Sequence, residues 1–294
     1  MSLQLKNQNP SLSAYLALAA GVLCIGCSAI FVKLADIPGT VSALYRVAIA
    51  VLVLLPWWLL RRRQPVERKA LVMVVLGGIF FALDLAMWNT GILLTTAANA
   101  TLLANNAPLW VGLGALLFFH ERLNLQYWTG LVIALIGMAA IVGADAWQTM
   151  SFNTGDLLAI AASFMYAAYM LTTQKARASV DTLTFNAVYM LTGLSVLLTL
   201  NLALGSALTG FSTQTWLALL GLGLISQVFG WLAINYALGH LRAAPVSVSL
   251  LGQPVVTAIL GIFLLGEGLG VNQIIGGLFV LSGIYLVNRK ANSK

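Results

Sequence analysis

Long apolar stretches joined by short polar links run from end to end of the chain. A bilayer core about 30 Å thick needs about 20 apolar residues to be crossed as a helix. Ten stretches meet or approach that length: 12–32, 40–60, 70–91, 97–119, 126–143, 157–173, 183–204, 215–237, 243–265 and 271–288, referred to below as spans 1 to 10. Backbone groups exposed to lipid have no water to bond, so the pattern predicts an all-α membrane protein of ten transmembrane helices. Span 1 follows the polar flank MSLQLKNQNP. It is long for a signal-peptide core and no small-residue cleavage site follows, so it reads as a retained first helix. No link is long enough to hold a soluble domain. The expectation is a multi-pass protein of the cell (inner or plasma) membrane that acts within the bilayer.

Composition agrees. Of 294 residues, 60% are hydrophobic and 8% charged, against about 25% charged in soluble domains. The net charge of +7 is explained by where the cations lie. With the N-terminus in the cytoplasm, Lys6, Arg61, Arg62, Arg63, Arg68, Lys69, Arg122, Lys175, Arg177, Arg242, Arg289, Lys290 and Lys294 all fall inside. Only Lys33 falls outside, and Arg46 lies within span 2. Lys and Arg accumulate on the cytoplasmic side of short loops, so both termini are expected there. The charge is then a topogenic signal, with membrane lipid as a secondary partner. No basic stripe interleaved with aromatics is present, so nucleic acid is not an expected partner. Cys24 and Cys27 sit three apart in one apolar stretch. They read as small hydrophobes, with no second Cys or His cluster to complete a metal site.

The strongest internal signal is a repeat. Residues 84–142 and 230–288 align without a gap, pairing Asn89 with Asn235, Pro108 with Pro254, Glu121 with Glu267, Gly130 with Gly276 and Gly137 with Gly283, all at an offset of 146. Upstream the offset drifts: Tyr45 meets Tyr189 and Lys33 meets Lys175. The chain therefore divides into a first five-helix repeat, 1–146, and a second, 147–294, integrated in one membrane domain. Five spans per half is an odd number, so the second half enters the membrane inverted. The charges agree, since the loop with Glu121 carries Arg122 and the loop with Glu267 carries no Lys or Arg. Inverted repeats around a midplane site are a transporter arrangement. The alternative is that duplication serves only to build a stable bundle.

At these residues the chain resembles the drug/metabolite transporter superfamily, in its ten-helix EamA family. The resemblance rests on the short-looped spans, the five-plus-five repeat, the YRVAIA stretch of span 2, and a phrase present in both halves. That phrase reads APLWVGLGALLFFHERLNLQYWTGLVIALIGM in one half and QPVVTAILGIFLLGEGLGVNQIIGGLFVLSGI in the other. It implies a bacterial-type permease that often exports amino acids or other metabolites. It also implies a central cavity lined by the first four helices of each half, with the fifth helices at the periphery.

An ionisable group inside a span is costly and marks function by default. Asp84 is the clearest, as a substrate counter-charge, a proton-coupling site or half of a structural ion pair. At 1.5 Å per residue, Arg46 and Asp84 both lie about 10 Å below the outer surface, which places them to pair. Trp88 follows Asp84 by one turn, and Gln227, Trp231 and Asn235 form a matching polar and aromatic stripe in span 8. Asn105 and Pro108 in span 4, with Gln253 and Pro254 in span 9, suggest polar contacts beside a proline that breaks a backbone bond and frees a carbonyl. Thr101 shares the face of Asn105, and Tyr166 and Tyr169 offer ring faces. The expected substrate-binding set is Asp84, Trp88, Asn105, Tyr166, Trp231, Asn235 and Gln253. Arg46, Pro108, Pro254, Glu121 and Glu267 are expected in structural or coupling roles, the two glutamates as caps or loop organisers.

No GxSxG, HExxH, P-loop or nucleotide-binding fold is present, and His120 and His240 lack triad partners. The expectation is no catalysis, no cofactor and no ATP drive. What remains is a carrier for a small metabolite, with a proton as the candidate coupling ion and a monomer or homodimer as the working unit. One charge of each sign within the spans favours a zwitterion such as an amino acid. Two alternatives stay open: a membrane enzyme acting on lipid-linked substrates, and a non-transporting receptor or assembly subunit.

Overall fold

The computed structural model describes residues 12–61, 65–95, 103–142, 153–265 and 270–289. Among them every regular element is a helix, and the helices fall on the ten expected spans. Eight are long and apolar enough to cross a membrane, and two shorter apolar helices, Ala107–Phe119 and Leu125–Ile141, occupy spans 4 and 5. Large apolar side chains such as Leu52, Trp57, Leu117, Phe118 and Leu278 stand exposed on the outer surface, as lipid as solvent requires.

Four spans depart from a straight α-helix. Span 1 is two helices, Leu12–Gly26 and Ser28–Ala35. Span 8 runs from Thr213–Gly221 through a π-helical stretch, Leu222–Gly230, into Trp231–Leu238. Spans 4 and 9 are interrupted at the same repeat position, Asn105–Asn106 and Leu251–Gly252. There i→i+3 bonds, Asn106 N–H to Leu103 O and Gly252 N–H to Ser249 O, tighten the turn. The helices restart as Ala107–Phe119 and Gln253–Leu265. This corrects the expectation of a proline inside an unbroken span. Pro108 and Pro254 sit in the first turn of a restarted helix, where the missing N–H has no intrahelical partner to lose.

The main packing pairs map onto one another when each span is exchanged for its repeat equivalent. Span 3 packs on 6 as 8 does on 1, span 3 on 7 as 8 does on 2, and span 4 on 6 as 9 does on 1. The pairs 2–7, 4–9 and 5–10 map onto themselves. Equivalent spans run antiparallel where they meet. In spans 2 and 7, Trp58 donates to Thr184 Oγ1 at 3.2 Å at one end, and Asn201 donates to Thr40 O at 3.1 Å at the other. In spans 5 and 10, Gly130 lies against Gly283 and Gly137 against Gly276.

The glycines expected to permit close packing therefore pack against each other. A Cβ on Gly137 would lie 2.5 Å from Gly276 O and 2.6 Å from Val280 N, both backbone atoms that cannot move aside. Gly137→Ala is expected to lower the melting temperature in detergent, through a strain of order 1–3 kcal/mol. Gly270→Ala, where a Cβ meets nothing within 4 Å but the residue is the N-cap of Val271–Asn288, should lower it less, by the smaller cost of Ala at an N-cap. Differential scanning fluorimetry on the two variants checks this.

Candidate functional site

Spans 1, 2, 3, 4, 6, 8 and 9 converge on one cavity of about 190 Å³. Its wall carries Arg46 from span 2, Asp84 and Trp88 from span 3, Asn105 and Pro108 from span 4, Tyr166 from span 6, Trp231 from span 8 and Gln253 from span 9. Local geometry explains the convergence. Phe81, Asp84 and Trp88 recur at three- to four-residue intervals and so share one helix face. Span 8 can approach span 1 because Gly230 leaves room, a Cβ there meeting Ile25 Cγ1 at 2.9 Å and Cys24 Cβ at 3.2 Å.

Arg46 and Asp84 share the wall without forming an ion pair within 4.0 Å. The Arg46 Nε–H is given to Gln227 Oε1, and Gln227 in turn donates to Tyr189 Oη at 3.2 Å. Arg46 is only 8% exposed, so this buried acceptor offsets part of its desolvation. Asp84 has no such partner. Among the described residues none donates a hydrogen bond to its carboxylate, which is left to the cavity.

Asn235, expected to line the site, lies behind the wall instead. It is fully buried. Its Oδ1 accepts from Tyr169 Oη at 2.8 Å, its Nδ2 donates to Asn186 Oδ1 at 3.0 Å, and its carbonyl accepts from Arg177 Nε at 2.9 Å. The stripe of Gln227, Trp231 and Asn235 does point inward, but only Trp231 reaches the cavity. Tyr169 is likewise buried rather than lining.

Trp231 is held by rings. Phe81, Tyr169 and Tyr166 surround it with centroids at 5.0, 5.3 and 6.0 Å in edge-to-face arrangements. Its indole Nε1–H is buried and has no hydrogen-bond partner among the described residues. A buried donor left without a partner costs about 1–3 kcal/mol, so a ligand acceptor reaching it would recover that energy. Sequence reasoning missed Phe81, although its spacing from Asp84 and Trp88 carried the signal. It also missed Ser247, a cavity residue without a distinctive neighbour pattern.

Glu121 sits away from the cavity and ties three spans together. Its Oε1 accepts from Gln174 Nε2 at 2.8 Å, Gln174 Oε1 accepts the Ala243 N–H, and Arg242 Nε lies 4.0 Å from Oε2. The ends of spans 4 and 6 and the start of span 9 are thereby joined. Glu267 and Thr101 lie outside the described residues.

The family model described as the EamA-like transporter family matches residues 12–143 and again 153–289. An uncharacterized transporter of Archaeoglobus fulgidus is 29% identical over 94% of this chain and 97% of its own. A probable terminal-alkyne amino-acid exporter of Streptantibioticus cattleyicolor is 27% identical over 78% of this chain and 76% of its own. A solved crystal structure superposes with a TM-score of 0.80 at 20% identity, covering 94% of this chain and 96% of its own, which shows a shared fold.

The geometry separates residues that hold the wall from those that present chemistry. Asn235→Leu leaves Asn186 and Tyr169 short of a buried partner and is expected to cost about 1–3 kcal/mol per orphaned group. Asp84→Asn, on a side chain open to the cavity, orphans no hydrogen-bond partner among the described residues and should lower the melting temperature less than Asn235→Leu does. Thermal unfolding of both variants in the same detergent checks the contrast.

Proposed function

Because this chain belongs to the EamA-like transporter family, we propose that it is a secondary transporter exporting a small zwitterionic metabolite, with an amino acid as the first choice. The family and the relatives are transporters rather than enzymes, so the membrane-enzyme alternative falls away. The observation that carries the substrate class is one carboxylate and one guanidinium on the wall of a single cavity, unpaired with each other. The volume of about 190 Å³ is below the usual range of about 300–1,000 Å³ for drug-sized ligands, which favours a small metabolite. The relative named as an amino-acid exporter points the same way.

In this reading the substrate ammonium meets Asp84 between the rings of Trp88 and Tyr166. The carboxylate takes the free indole N–H of Trp231 and the field of Arg46, while Asn105 and Gln253 bond its remaining polar atoms. Asn235 acts from behind the wall as a positioning residue. Asp84 is also the site for a coupling proton. The halves 1–146 and 147–294 act as inverted repeats with both termini in the cytoplasm. The twofold family match and the antiparallel meeting of spans 2–7 and 5–10 support that arrangement. Alternating access proceeds by rocking one half on the other, with the tightened turns at 105–106 and 251–252 as hinges.

Reconstituted into liposomes, the protein is expected to show saturable counterflow of an amino acid. Asp84→Asn should reduce it at least tenfold while the melting temperature holds. Binding without flux in the parent protein would return the receptor reading. Full flux in Asp84→Asn for every amino acid carried would remove Asp84 from the site.

A further inference from the structure

The two repeats differ sharply at one place on the lipid-facing surface. In the first, Trp110 of span 4 stacks on Phe164 of span 6 with centroids 3.9 Å apart, and its indole N–H is donated to Ser163 Oγ at 2.9 Å. At the repeat offsets, Trp110 corresponds to Val256 and Phe164 to Val22. Two valines therefore stand where the first repeat has two stacked rings. They border a groove of about 560 Å³ between spans 1, 9 and 10, walled elsewhere by apolar side chains such as Leu18, Val255 and Ile284.

One end of the groove is polar. Asn288 donates to Ser249 Oγ at 2.9 Å, and Tyr285 and Arg289 complete that end. Among the described residues no carboxylate lies within 4.0 Å of Arg289. From Leu281 to Arg289 the groove follows span 10 for about 12 Å at 1.5 Å per residue, close to the roughly 15 Å depth of one leaflet's hydrocarbon. The groove opens onto the lipid-facing surface, so at the depth of the acyl chains lipid, not water, is there to fill it.

We infer that this groove is a binding site for one anionic phospholipid. An acyl chain takes the volume that the Trp110–Phe164 stack fills in the first repeat. The phosphate lies at the polar end against Arg289 and the Tyr285 hydroxyl. The cation distribution of the loops puts that end at the cytoplasmic leaflet, whose anionic lipids attract basic groups. The interrupted stretch of span 9 lies between the lipid and the central cavity, because Ser249 and Gly252 line the groove while Leu250, Leu251 and Gln253 line the cavity. The site rests on the fold and the repeat correspondence, not on transport.

The first repeat supplies the test. Val22→Phe combined with Val256→Trp fills the groove as its equivalent is filled. Delipidated protein in detergent is titrated with dioleoyl phosphatidylglycerol or dioleoyl phosphatidylcholine and read by native mass spectrometry. The parent is expected to retain one phosphatidylglycerol at least tenfold more tightly than phosphatidylcholine, and the double variant to lose it. Arg289→Gln should keep the bound chain and lose the headgroup preference. Retention of the lipid by the double variant would overturn the assignment, as would equal retention of the two lipids by the parent. Dimers in the parent that disappear in the double variant would give the groove to a second copy instead. Should the double variant not elute as a single species, Arg289→Gln decides alone, and an unchanged preference refutes the site.

Discussion

A guanidinium buried in the middle of a lipid-facing bundle has no water to fall back on, and much of the interior is arranged around that fact. Arg46 finds Gln227, Gln227 finds Tyr189, and the three spans that supply them are fixed relative to one another. The Asn235 cluster repeats the solution with neutral groups, joining spans 6, 7 and 8. Each polar side chain brought into the bundle demands a partner. Many hydroxyls donate to a carbonyl of their own helix, as Thr172 does to Ala168 and Thr192 to Val188, while Arg46, Gln227, Tyr169 and Asn235 bond across spans. These cross-span bonds fix how spans 2, 6, 7 and 8 meet. Among the described residues, two groups left out of them, the Asp84 carboxylate and the Trp231 indole N–H, border the cavity.

The fold was largely legible in the sequence because its signals are coarse. Span lengths follow from bilayer thickness, and the repeat follows from residue matches at a constant offset. The glycine pairs 130/137 and 276/283 announced close packing, though not that they meet each other. Finer departures were hidden. Nothing in the composition of Leu222–Gly230 marks it as π-helical. The prolines of spans 4 and 9 were visible, but whether a proline kinks a continuous helix or opens a new one depends on the turn before it, which tertiary packing decides.

The site was legible to the extent that polar residues in apolar spans must be somewhere special. Asp84, Trp88, Asn105, Tyr166, Trp231 and Gln253 come together on one wall. Asn235 does not, because a polar residue in a span is equally well explained by a cavity or by a buried partner, and spacing along one helix cannot distinguish them. The Arg46–Asp84 relation stayed open in sequence for a related reason. Equal depth makes a pair feasible, but Gln227, distant in sequence, competes for the guanidinium.

The antiparallel glycine seam of spans 5 and 10 also has a bearing on how the protein is made. Span 5 ends near residue 142 and span 10 near 288. At a synthesis rate of about 5–20 residues per second, the partner surface reaches the membrane roughly 7–30 s later. Throughout that interval the flat glycine face of span 5 is in the bilayer with its intended neighbour still unmade. Span 10 is the helix that closes the seam, so a nascent chain stalled before it holds an unfinished interface open to any other small-residue helix nearby.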